Sequence, residues 1–179
     1  FRLAMATPVF YHLISSDKEK FIIEKKEAKL STTIWSAIQN CGLDEEEHSE
    51  ELQKRIDEHP IPLFRVKAEQ LGLVLQWCNH YADTYFEDGM AERREFIILP
   101  EWDKLFLQDL PQSVLFPLFV AAKYLGITGL DDHCAEFIAS MIRGRSTEQI
   151  RERFNIENDL TEEEEEEIRR RQLNDWLDQ

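Results

Sequence analysis

Gly144-Arg145-Ser146-Thr147-Glu148-Gln149-Ile150-Arg151, followed by Phe154-Asn155-Ile156-Glu157-Asn158-Asp159-Leu160-Thr161-Glu162-Glu163-Glu164-Glu165, is the stretch that decides this chain. It reads as two short helices joined by a loop. Ser146 is a natural N-cap, and Gln149 stands three residues on, where a capping-box partner belongs. Thr161 and Glu164 repeat that spacing, and the glutamates after Thr161 favour the positive end of a helix. From Arg143 to Gln179 the apolar residues are Ile150, Phe154, Ile156, Leu160, Ile168, Leu173, Trp176 and Leu177, too few for a core of their own. They either pack on an upstream domain or await a partner.

Composition narrows the classes. The chain has 179 residues, of which 42% are hydrophobic, enough for one domain and an extension. A net charge of -15 and a pI near 4.7 argue against binding a nucleic-acid backbone or an anionic membrane surface. No apolar run approaches the length of a membrane span, and no secretory signal pattern opens the chain. Cys41, Cys78 and Cys134 are odd in number and far apart. They fit a reducing compartment, cytosol or nucleus, as small apolar residues. The residues ahead of Met5 read as preceding a native start there.

Upstream of the deciding stretch the pattern is mixed. Val9 to Ile14 and Phe21 to Glu24 read as a hairpin with Ser15-Ser16-Asp17-Lys18 as its turn. Leu30 to Cys41 reads as a helix capped by Ser31 and ended by Gly42. Asp44 to Glu58 holds eight acidic residues and reads as a solvated loop, with at most a helical turn through Leu52 and Ile56. Ile61 to Phe64 is a short extended piece. Leu71, Val74, Leu75 and Cys78 recur at helical spacing, and Tyr81 to Ile97 reads as an exposed loop. Leu115, Phe119, Ala122 and Leu125 fit a buried helix, but Pro117 interrupts it at a cost on the order of 3 kcal/mol. The helix therefore starts late or kinks there. A last helix runs from Asp131 to Ile142.

No catalytic constellation is visible. Cys78-Asn79-His80 and His133-Cys134 lack the paired clips of a structural zinc site, so no metal is expected. His133 and Cys134 are helix neighbours and point about 100° apart, a poor nucleophile-base geometry. No glycine-rich phosphate loop exists, and the carboxylates of 162–167 lie in a solvated run. The chain is expected to be no enzyme and to need no cofactor.

Several separate motifs, in order, resemble the Skp family, the S-phase-kinase-associated adaptors of SCF ubiquitin ligases. They are Leu13 with Ser15-Ser16-Asp17 and Phe21, then Gln76-Trp77-Cys78-Asn79-His80, Trp102-Asp103 and Phe106-Leu107. Ala121-Ala122 with Tyr124-Leu125, Met141-Ile142-Arg143-Gly144-Arg145-Ser146 and the stretch quoted first complete the set. The family has Gly where Lys18 stands and Asn where Lys123 stands.

The resemblance implies an α/β fold: a BTB/POZ-like domain over 9–142, a small sheet with a helical cluster, facing a cullin in its N-terminal part. A helical extension over 143–179 would complete the surface for F-box proteins. Carried over by motif, the F-box contacts are Phe116, Leu130, Ile138, Phe154, Ile156, Leu160 and Trp176, with Phe154 and Trp176 as aromatic anchors. The cullin contacts are Lys123 and Tyr124. Lys123 leads us to expect that F-box binding is kept and cullin binding is altered or selective. The implied role is a noncatalytic adaptor in ubiquitin-dependent degradation, in cytoplasm and nucleus, with homodimers when unliganded. Two alternatives stay open: an F-box-binding structural subunit outside cullin complexes, and an elongin-C-like adaptor.

Overall fold

The computed structural model describes residues 8–45, 49–87 and 98–177; the side chains of 85–87 and 172–177 lie outside that description. The residues before Met5 also lie outside it. Strands β1 (Phe10–Ser15) and β2 (Lys20–Glu24) pair antiparallel, with Phe10 opposite Glu24 and Ile14 opposite Lys20. Strand β3 (Ile61–Leu63) joins the other edge of β1 in parallel, giving the order β2-β1-β3. Alternation along β1 buries Tyr11, Leu13 and Ser15. The turn between β1 and β2 puts Lys18 at φ 71°, the left-handed region where a glycine would sit without strain.

Helix α1 (Lys25–Ala28) follows at once, and α2 (Thr32–Asn40) begins with Ser31 accepting the Ile34 amide at 3.1 Å. The acidic segment is not wholly a loop. Residues Glu50–Glu58 form helix α3, capped by Ser49, and its Leu52 and Ile56 are buried. Two apolar residues four apart are enough to dock an otherwise charged helix. Residues 46–48 lie outside the description.

Helix α4 spans Ala68–Glu87, so the expected loop from Tyr81 starts later. Trp77 and Tyr81, one turn apart, and Ala82 are all buried, and they carry the helix past the point where its sequence turns polar. The remainder of that expected loop, 88–97, lies outside the described residues. Helix α5 (Glu101–Gln108) and helix α6 (Gln112–Leu125) follow. The latter begins at Gln112, so it does not start late: Pro117 stands in its second turn and deprives Ser113 of an amide from the following turn. Gly126 caps α6 at φ 65°.

The chain divides into two compact units, one ending at Ile138 and one beginning at Ala139, within helix α7 (Thr128–Ile142). Helices α8 (Thr147–Phe154) and α9 (Glu162–Leu177) belong to the second. Ser146 and Gln149 form the capping box read from sequence, at 3.3 and 3.0 Å. Asn155 ends α8 at φ 52°. Thr161 and Glu164 make the same reciprocal pair at the start of α9.

Candidate interaction faces

In the first unit the concave surface is built where the segment after β3 meets α6. Arg65, Val66, Lys67, Glu69 and Gln70 form one wall, and Ser113, Phe116, Pro117, Val120 and Ala121 the other; the volume is about 510 Å³. Phe116 and Val120 lie one turn apart on the outer side of α6, and Val120 is 66% exposed. Phe64, 77% exposed, directly precedes the first wall. The Arg65 guanidinium lies over the Tyr124 ring, 5.8 Å from its centroid. Lys123, exposed, and half-buried Tyr124 follow Val120 on the last turn of α6.

That last turn is held from outside the helix. Thr33 Oγ1 donates to the Tyr124 carbonyl at 2.8 Å, Ser31 Oγ to the Leu125 carbonyl at 2.6 Å, and Thr32 Oγ1 to the Gly126 carbonyl at 3.4 Å. Three successive hydroxyls at the start of α2 thus satisfy carbonyls that a helix end leaves without amides. The Lys123 ammonium has no ion pair or side-chain hydrogen bond among the described residues, and nothing in the helix end requires one of it.

The first unit also holds a buried polar knot. Asp103 of α5 has no solvent exposure. It accepts Trp77 Nε1 at 2.8 Å and the Tyr81 hydroxyl, and His133 Nδ1 lies 2.9 Å away. His133 Nδ1 approaches the carboxylate without the alignment of a hydrogen bond. Burial raises the Asp103 pKa, but the neighbouring His133 and the hydrogen bonds from Tyr81 and Trp77 outweigh it and hold the carboxyl below its ordinary range. The His133 side chain is only 12% exposed and lies against Asp103.

The second unit carries the other face. No side chain of α8 is buried, and none described in α9 is. Ile150, Phe154 and Leu160 are half-buried, while Ile142, Ile156 and Ile168 are exposed. The connection between the helices is pinned by charge. Glu165 accepts Asn158 Nδ2 at 2.8 Å and faces Arg151 Nη1 at 3.4 Å.

The residues carried over by motif are thus distributed unevenly. Phe154, Ile156 and Leu160 share the second unit. Trp176 has its backbone in α9 and its side chain outside the description. Leu130 is fully buried in the first unit, so it cannot meet a partner with its own surface and packs the core instead. Ile138 is half-buried at the end of that unit. Phe116 stands on the α6 face that also bears Lys123 and Tyr124, in the concavity with Arg65. Phe64, Arg65 and Val120 went unread: a valine in an apolar helix looks like core, and only its one-turn spacing from Phe116 signals an exposed stripe.

Among the described residues no group of side chains resembles a reaction centre. No cluster of metal-ligating side chains occurs among the described residues. Burial pushes the thiols of Cys78 and Cys134 up to about 12, far from nucleophilic. No helix among the described residues is long and apolar enough to cross a membrane.

Comparison with known proteins places both units. Residues 10–83 match the model of the Skp1 family tetramerisation domain, and residues 128–174 that of the Skp1 family dimerisation domain. The chain is 40% identical over 168 residues to a Skp1-related protein of Caenorhabditis elegans, covering 92% of this chain and 89% of the relative. It is 35% identical to the E3 ubiquitin ligase complex SCF subunit sconC of Talaromyces stipitatus, covering 93% and 95%, and 35% identical to that of Arthroderma benhamiae, covering 93% and 94%.

Proposed function

The chain belongs to the Skp1 family, and from that membership we propose that it is a noncatalytic adaptor joining an F-box substrate receptor to a cullin in an SCF-type ubiquitin ligase. It acts in ubiquitin-dependent degradation, in cytoplasm and nucleus. The observation that carries this reading is the pair of exposed apolar faces, one on each unit, in a chain without a reaction centre among its described residues. Bridging needs two surfaces and no chemistry.

The F-box protein meets the second unit through Phe154, Ile156 and Leu160, with Trp176 as the aromatic anchor and Ile138 at the margin. Leu130 supports from within the core. The cullin meets the first unit through Lys123 and Tyr124. Phe116 is reassigned to this side, because it shares a concavity with Arg65, which lies on Tyr124. Free of partners, the first unit pairs with a second copy. The match of 128–174 to the Skp1 dimerisation domain removes the ground for the elongin-C-like alternative, which lacks such an extension.

The reading is tested by mixing the chain with an F-box protein and a cullin N-terminal domain, separately and together, and measuring complex mass by light scattering. A ternary complex is expected. An F-box complex that never takes up a cullin would favour a cullin-free subunit, the role that Lys123 would then mark. Binding to neither would overturn the adaptor role.

A further inference from the structure

Resting on the assignment of the α6 face to a cullin, we infer that this face selects cullins by charge: its occupant presents a carboxylate beside an apolar side chain. The apolar side chain enters the concavity between Arg65 and Val120, and the carboxylate meets Arg65 and Lys123.

The chain carries 36 acidic and 21 basic residues, yet the concavity is lined by Arg65 and Lys67, and Lys123 is exposed about one turn beyond Val120 on α6. The nearby carboxylates are already engaged. Glu69 accepts Gln70 Nε2 at 2.8 Å. Asp17 accepts the Ser15 hydroxyl and the Ala68 amide, which hold its carboxyl below the usual range, with Lys67 contributing. Lys67 thus stands near the Asp17 carboxyl. Arg65 and Lys123 make no ion pair among the described residues.

Both are also prepared for an outside acid. The Arg65 guanidinium rests on the Tyr124 ring, which holds the planar group while its N–H edge stays open for a two-point carboxylate contact. Lys123 is not needed to satisfy its own helix end, since Thr33, Ser31 and Thr32 already donate to carbonyls 124 to 126. Phe116 and exposed Val120 line the concavity with Arg65, and Lys123 follows Val120 by about one turn on α6; the apolar pair accepts an apolar neighbour of that acid and excludes water from the contact. An uncharged occupant would leave both cations desolvated without compensation, which is how such a face rejects it.

The test uses the full chain bound to its F-box protein and a panel of cullin N-terminal domains, with affinities measured by calorimetry. One panel member is expected to bind, about tenfold or more tightly than Arg65→Glu or Lys123→Glu binds it, with affinity falling as salt rises from about 50 to about 500 mM. Replacing the facing cullin carboxylate with lysine should restore binding to the glutamate variants. Circular dichroism checks that each variant folds. Val120→Asp separates the two claims. If it abolishes binding while both charge reversals and salt change affinity less than about twofold, the charge inference is overturned and the cullin assignment stands. If Val120→Asp leaves binding intact, or no cullin binds, the assignment falls and the inference with it.

Discussion

Asp103 is the residue whose replacement tells most about how the first unit stays together. Its carboxylate is fully buried, accepts hydrogen bonds from Trp77 and Tyr81 of α4, and lies 2.9 Å from His133 Nδ1 of α7. Hydrogen bonds to a charged acceptor are each worth about 1.5–3 kcal/mol net, and breaking a buried paired charge typically costs about 3–5 kcal/mol. Asp103→Asn keeps the shape but offers one acceptor and turns an amide donor towards donors. We expect a loss of about 2–4 kcal/mol. With a urea slope of about 2 kcal/mol per molar, the unfolding midpoint falls by about 1–2 M. Trp77→Phe should cost about 1.5–3 kcal/mol through its missing N–H. The double variant should lose less than the sum, since both act on one knot.

The pH dependence has a defined sign. The Asp103 carboxyl titrates below its ordinary value in the folded chain. Its contribution is therefore present at neutral pH and above the unfolded value, about 3.9, and is lost as pH falls through the folded value below it. Asp103→Asn should flatten that acid limb. The assay is urea unfolding followed by near-UV circular dichroism, at pH 7 and at several lower values. A loss below about 1 kcal/mol, strict additivity with Trp77→Phe, or an unchanged acid limb would refute the view that the knot joins the three helices.

Two further predictions concern the backbone. Gly126→Ala drives a Cβ into Thr32 Oγ1 at φ 65°, whereas Gly144→Ala at φ 75° meets nothing within 4 Å. The second should cost about 1–2 kcal/mol for the left-handed backbone alone, and the first clearly more, because it also displaces a hydroxyl at the α6 end; equal urea midpoints would contradict this. Pro117→Ala restores an amide to Ser113 and should stabilise by about 1–3 kcal/mol, seen as a rise in thermal midpoint of several degrees. No rise would mean that the helix already accommodates the proline.

Much of this architecture is legible locally. Ser31, Ser146, Gln149 and Thr161 announce helix starts because capping is a matter of three or four consecutive residues, and the caps form as read. Strand alternation and the Skp-family motifs placed the sheet and the order of the elements. What was not legible depends on tertiary partners. Leu52 and Ile56 look marginal in an acidic segment until they dock and make α3. Tyr81 continues α4 because Asp103, 22 positions away, takes its hydroxyl. His133 is turned inward against Asp103, which lies on another helix. The candidate contacts suffer the same limit. Leu130 and Val120 are both aliphatic residues in apolar helices, and only the one-turn spacing of Val120 from Phe116 hints at which of them is exposed.

The two faces share a physical logic that fits an adaptor. At the α6 end, hydroxyls from α2 satisfy the terminal carbonyls, so the backbone is settled without help from Lys123 or Phe116. In the second unit, the capping pairs and the Arg151–Glu165–Asn158 cluster settle the backbone of α8, α9 and their connection. In both places local polar bonds fix the shape, while the apolar side chains stay exposed or half-buried. A face made in this way is ordered before its partner arrives, so less conformational freedom is lost on binding. Its apolar area is still available to contribute affinity. A cluster of apolar residues that folded by burying one another would gain order only by removing the surface it offers. The scarcity of core-forming residues after Arg143, which first looked like weakness in the sequence, is on this account what keeps that segment able to bind.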